Sequence, residues 1–316
     1  MINRILLRIK VVQVLYAFYH SDNCDKAIAE NELRHSLQKA YDLYFYLLAL
    51  MVELTRFAEQ KIDAARNKYL PTDKEKNPQM RFVENLFVKQ LSENEQLNEY
   101  LKKRKLSWVN YQDALKRMYQ EITESDFFAD YMSVDEHSYD ADKNLWKKIF
   151  KMEMSDGSPL LATLEDENAY WLSDVDIIGS FVFKTIKMFK QENASAQELL
   201  PMYKDPADLA FALKLFHTTI DCYEEFGKMI DEHVKNWEID RIAFMDTLIM
   251  KTAIAELLSF PTIPTNVTLN EYIEIAKMFS TPRSSLFING VLDQIAAYLK
   301  ADNQLEKLVD FTRDTK

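Results

Sequence analysis

Four glycines in 316 residues, at Gly157, Gly179, Gly227 and Gly290, constrain this chain more than any motif it carries. Hairpin turns draw on glycine for backbone angles that other residues resist, and phosphate-cradling loops need it for close backbone approach. So sparse a supply argues against a turn-dense β fold and against a Gly-rich nucleotide loop. Long helices joined by few tight turns remain. Apolar residues do recur at helical spacing almost throughout, with period-two alternation hard to find. Roughly nine to twelve helices fit the pattern, and the expected fold class is all-α.

Breaks in the pattern carry proline and polar clusters, at Leu70 to Pro78, Ser155 to Pro159, Gln191 to Pro206 and Ser259 to Pro264. Asp205-Pro206 and Thr281-Pro282 each read as an N-cap followed by proline at the first helical position, where a missing N–H costs nothing. Residues 1–20 read as one helix, apolar nearly all round and therefore largely buried. At about 100° per residue, Ile5, Ile9, Val12 and Tyr16 share one face. Arg4 and Arg8 form a separate stripe, and Lys10 points away from both.

Charge is unevenly spread. The net charge of −11 speaks against a bulk nucleic-acid binder, yet residues 1–20 hold Arg4, Arg8 and Lys10 with no acid. Cys24 and Cys222 stand far apart in sequence, which gives neither a disulfide framework nor metal-ligand spacing and suits a reducing compartment. Arginines run through the N-terminus, no small-residue cleavage site follows it, and no apolar run approaches the roughly 18 residues of a membrane helix. A cytoplasmic location is expected, with no membrane contact.

The C-terminal third is more specific. Three pieces follow one another: Asp246 with a helix ending in Ala255-Glu256-Leu257, then Asn270-Glu271-Tyr272-Ile273-Glu274-Ile275-Ala276-Lys277-Met278-Phe279, then Phe287-Ile288-Asn289-Gly290-Val291-Leu292-Asp293. In order and spacing, residues 236–299 resemble the C-terminal helices of the NusB family. Val12-Gln13-Val14-Leu15-Tyr16 after Arg8 resembles that family's arginine-bearing first helix. The resemblance covers about a third of the chain, roughly 4–18 and 207–299. It implies a NusB-like helical bundle of two packed subdomains. Its parts would be an N-terminal helix in 1–24, an inserted helical region of unknown role in 25–205, C-terminal helices in 206–300 and a tail in 301–316.

The resemblance also implies a function: a transcription antitermination factor that binds boxA-type nascent ribosomal RNA together with a small-subunit ribosomal protein, NusE, in the transcription elongation complex. No catalysis, cofactor, metal or small-molecule substrate goes with it. Arg4 and Arg8 match positions where the family touches RNA; guanidinium groups fit phosphates and stack on unpaired bases. The competing reading is surface ion pairs, worth little each. Phe287 falls at a family RNA position, where its ring would stack on a base, but Phe287, Val291 and Ile295 also repeat like a core stripe. Lys277 and Arg283 flank the preceding loop, as phosphate contacts or as solvated surface charge. Tyr16 and Asp246 fall where the family meets its ribosomal-protein partner, or else are a core aromatic and a helix surface charge. Asn289 and Gly290 read as structure, the glycine marking close helix approach.

Other features yield to plainer readings. Lys102-Lys103-Arg104-Lys105 reads as a solvated face, and Asp135-Glu136-His137 with Asp140 lacks a second histidine or cysteine at ligand spacing. Ribosomal-RNA cytosine methyltransferases carry a NusB-like domain ahead of an α/β domain with a Gly-rich loop. Here the matching segment runs to residue 299 and no such domain follows, so a non-enzymatic factor is expected. The remaining rival is an interaction protein that keeps the fold without RNA binding.

Overall fold

A computed structural model describes residues 2–22, 24–134, 138–234, 243–281 and 283–308. Every regular element among them is helical; the one β-type contact is an isolated bridge between Ile2 and Tyr203. Fifteen α-helices are described, more than expected, because short helices such as Asp73–Lys76 (α3) and Leu86–Ser92 (α4) form where the sequence reads as a break or a longer helix. The chain divides into two compact units. Ile2–Leu37 joins the chain from Tyr203 onward to make a split unit, and Gln38–Met202 makes a middle unit. Helix α2, Lys26–Arg66, contributes residues to both.

The split unit is built on Phe244–Ser259 (α13), which packs against Arg4–His20 (α1), Ala207–Asp221 (α11), Tyr223–His233 (α12), Thr265–Phe279 (α14) and Ser284–Ala301 (α15). Surrounded this way, α13 is buried from Leu248 to Leu257 on every face, including Lys251 and Glu256. Helix α1 is similarly enclosed: Leu6, Leu7, Ile9, Val11, Val12 and Leu15 are all essentially inaccessible, as its all-round apolar character implies. Its start is fixed by Asn3, whose side chain accepts the Leu6 amide at 3.1 Å. Asp205 accepts the Ala207 amide at 2.8 Å, while Pro206 takes the N-cap position of α11, just ahead of the helix rather than inside it. Pro282 lies outside the described residues; beside it, the Thr281 and Ser284 hydroxyls are hydrogen-bonded at 2.8 Å.

The middle unit holds Glu95–Arg104 (α5), Gln112–Glu124 (α6), Asp126–Ser133 (α7), Tyr139–Glu153 (α8), Pro159–Glu167 (α9) and Val175–Met188 (α10), with α3, α4 and the larger part of α2. Its core is aromatic. Tyr46 stacks on Trp108 with centroids 4.3 Å apart and lies 4.7 Å from Trp171. The Trp108 and Trp171 indole N–H groups each donate to a backbone carbonyl of α2, to Tyr46 at 3.0 Å and to Lys39 at 2.9 Å, which satisfies both polar tips. Arg104 is drawn out of the basic run at 102–105 to grip the buried Asp42 carboxylate with two hydrogen bonds, at 2.7 and 2.8 Å.

Candidate nucleic-acid and partner interface

Arg8 is where structure and expectation part. Its side chain is 2% exposed. Nε and one terminal nitrogen donate to the two Glu256 carboxylate oxygens at 2.7 and 2.8 Å, and the other terminal nitrogen reaches Glu271 at 3.2 Å. Glu256 is fully buried and also accepts from Thr268 Oγ1 at 2.9 Å and the Tyr272 hydroxyl at 3.2 Å. Burial opposes the Arg8 charge, but the hydrogen bonds and charge of Glu256 outweigh it and hold the guanidinium above its ordinary pKa. Arg8 therefore ties α1 to α13 and α14 and is not a surface cation for RNA. Lys10 is equally buried.

Arg4 keeps 40% of its side chain exposed, 3.5 Å from Asp208, with its guanidinium 4.9 Å from the Phe211 ring. It is partly committed and partly available. Arg4, Arg8, Pro264, Val267 and Glu271 line a surface hollow of about 380 Å³. Three carboxylates, Asp208, Glu256 and Glu271, answer the two guanidinium groups at this end. The cationic ridge expected from residues 1–20 is therefore neutralised internally.

The exposed cations lie further along α14. Lys277 stands six residues beyond Glu271 on α14, roughly 9 Å along the axis, with its amine 2.6 Å from Glu274. Arg283 is exposed at the α14–α15 corner, and Phe287 is half-buried one turn into α15. Met278 and Leu286 flank them, 53% and 78% exposed, so the corner mixes cations with uncovered apolar surface. Asp246 holds the corner in place. It is 5% exposed, and Ser280 donates to it in a very short contact; Ser280 also bonds Ser284 at 3.0 Å. Asp246 is thus a buried anchor and corrects the expectation of a surface carboxylate facing a partner.

Tyr16 is 37% exposed, too open for a core aromatic. It stacks on His20 at 4.1 Å and meets Phe244 edge-on at 5.7 Å. His20 and Phe244 carry no signal in a single sequence, because α1 and α13 meet only in the fold. Gly290 does not mark close approach: a Cβ there would meet nothing within 4 Å. Asn289 donates to Asp293 at 3.2 Å on its own helix. Asp135, Glu136 and His137 lie outside the described residues, and no group of three or more metal-ligating side chains occurs among the described ones. No described helix is long and apolar enough to cross a membrane.

Taken together, these features define an all-α helical bundle with a basic–apolar corner and an exposed aromatic cluster on its surface. Residues 171–297 match the model of the NusB family. The match begins within the stretch expected to be inserted. Among similar proteins, the transcription antitermination protein NusB of Salinibacter ruber is 40% identical over 132 residues, covering 40% of this chain and 82% of that protein. That of Geotalea uraniireducens is 37% identical over 132 residues, 42% of this chain and 88% of the relative. That of Koribacter versatilis is 43% identical over 95 residues, 30% and 65% of the two chains. No solved structure matches the chain. The chain belongs to the NusB family.

Proposed function

We propose that this chain is a transcription antitermination factor that binds boxA-type nascent ribosomal RNA together with a small-subunit ribosomal protein, NusE, within the elongation complex. The observation that carries the RNA side is the α14–α15 corner, where exposed Lys277 and Arg283 stand beside Phe287, Met278 and Leu286. Cations there meet phosphates, and the apolar surface suits unstacked bases. Arg4 extends this reading along α14, with Arg8 behind it as the residue that fixes α1. The Tyr16, His20 and Phe244 cluster is the reading's docking point for the ribosomal protein, because exposed aromatics anchor interfaces. A cytoplasmic location goes with it.

Lys277→Glu combined with Arg283→Glu is expected to weaken binding of a boxA-like RNA by roughly ten-fold or more at moderate salt, with thermal unfolding unchanged. A gel-shift titration with the ribosomal protein present checks this, and undiminished affinity would remove the corner from the interface. The neutralisation of Arg8 and Arg4 by Glu256 and Asp208 favours a second reading, a NusB-fold interaction protein without RNA binding. Partner binding by the natural chain with no RNA shift in the same titration would decide for it.

A further inference from the structure

A second cationic surface lies in the middle unit, outside the segment matched to the family model. The last turns of α2, helix α3 and the outer face of α6 enclose a hollow of about 620 Å³ lined by Lys61, Lys68 and Lys74 over Ile62, Pro78 and Tyr119. Lys61 stands on the last turns of α2, and Lys68 follows just past its end at Arg66. Lys116, Tyr119 and Thr123 share one face of α6 at helical spacing, and Lys116 is exposed, so the basic lining continues past the hollow.

Its acid content is already spent. Glu75 is the carboxylate in the lining, and it is held by the Thr72 amide at 2.8 Å, the Thr72 hydroxyl at 2.9 Å and Lys68 at 2.5 Å. The Lys68 hydrogen bond, then those from Thr72, bring its pKa down to about 2, so it stays ionised and occupied at any working pH. Lys61 has its amine 5.2 Å from the Tyr119 ring centre, and neither Lys61 nor Lys74 pairs with a carboxylate among the described residues. On a molecule of net charge −11, a hollow in which Lys61 and Lys74 meet no carboxylate among the described residues is complementary to an anion. Next in the chain after Lys68, Tyr69 is 97% exposed and Leu70 81% exposed, so an uncovered ring directly follows a lining lysine.

We propose that the hollow between α2, α3 and α6 binds a single-stranded RNA segment, with Lys61 and Lys74 meeting phosphates and Tyr69 stacking on an unpaired base. An exposed aromatic beside lysines favours nucleic acid over an acidic peptide, because every base offers a face to stack on, whereas a carboxylate side chain gains nothing from the ring. The surface is independent of the α14–α15 corner and shares no residue with it.

The experiment uses the full chain and a fluorescein-labelled oligouridylate lacking any boxA sequence, followed by anisotropy across a salt series. Lys61→Gln with Lys74→Gln is expected to weaken binding roughly ten-fold at low salt and to flatten the salt slope by about 1.4, two contacts' worth for a single strand. Tyr69→Ser should lose at least about five-fold with the salt slope unchanged, since stacking releases no counterions. All three side chains are exposed, so unfolding curves should superimpose on that of the natural chain. Unchanged affinity and slope in these variants overturn the proposal, as does equal competition by polyglutamate of matched charge, which would assign the hollow to an acidic peptide. Loss of binding only in Lys277→Glu/Arg283→Glu refutes the hollow; loss only in the hollow variants supports it and leaves the corner to its own boxA titration.

Discussion

Arg8 and Glu256 show how a charge can be load and anchor at once. A buried ion pair is costly to desolvate, and removing one member strands the other. Arg8→Met should therefore destabilise the split unit by roughly 3–5 kcal/mol in urea unfolding, while Arg8→Met with Glu256→Gln should recover most of that loss. A single-variant cost below about 1 kcal/mol would mean the pair is not the buried clamp described. Glu153 is the opposite case, a carboxylate 1% exposed whose two oxygens lack well-formed hydrogen bonds. Burial, reinforced by the Glu121 charge and only partly offset by the Leu160 amide, pushes its pKa from about 4.5 up to about 7. The folded chain thus keeps a proton that the unfolded chain releases. Stability from this group is full below pH 4.5 and falls as pH rises toward 7, by roughly 1.4 kcal/mol per unit within that window. Glu153→Gln should remove this slope from a urea-midpoint series between pH 4 and 8, and an unchanged slope would show that the carboxyl titrates normally. Arg8 looked like a surface cation because α1 alone gives no hint of an acid 248 positions away. The available signal was paired oddity: an arginine in an all-round apolar helix, and a glutamate in the equally apolar α13.

At the scale of elements, glycine separates what pattern can reveal from what packing decides. Gly290 and Gly227 both sit inside helices with no positive φ, so alanine would gain helix propensity at either position. At Gly290 the added Cβ enters open space, and Gly290→Ala should raise stability by about 0.5–1 kcal/mol. At Gly227 it would come within 3.1 Å of Lys251 Nζ, an amine held 3.1 Å from the Tyr223 ring centre. Burial brings that amine's pKa down to about 8 against the pull of Glu224 and Asp231. Gly227→Ala should show no such gain, and parallel melting curves of the two variants check the contrast; equal gains would refute it. Helix existence, the break at Ser259 to Pro264 and the burial of α1 were legible from periodicity and proline. Tyr16's neighbours and the role of Asp246 were not, since both depend on which helices meet. The Asp246 carboxylate looks like a surface charge until Ser280, 34 residues on, closes over it.

For the whole molecule, family membership rests on about two-fifths of the chain, the match to the family model running through residues 171–297. Residues of α1 lie in one compact unit with α11 to α15, while 38–202 form another. Sequence resemblance pointed to two family-like pieces, at 4–18 and 207–299, while the family match runs through 171–297; it could not say what the helices between them do. Their acidic, lysine-dotted surface reads as solvated in one dimension, and only the fold brings Lys61, Lys74 and Tyr119 around one hollow.

The Arg8–Glu256 pair also sets a timetable. During synthesis the apolar first helix leaves the ribosome long before its carboxylate partner exists; at typical rates of about 5–20 residues per second, the delay is on the order of 10–50 s. The middle unit, whose contacts fall within its own stretch, can collapse in that interval. The opening helix cannot. Until α13 is made, α1 is a bare greasy segment whose Arg8 guanidinium has no Glu256 carboxylate to meet it.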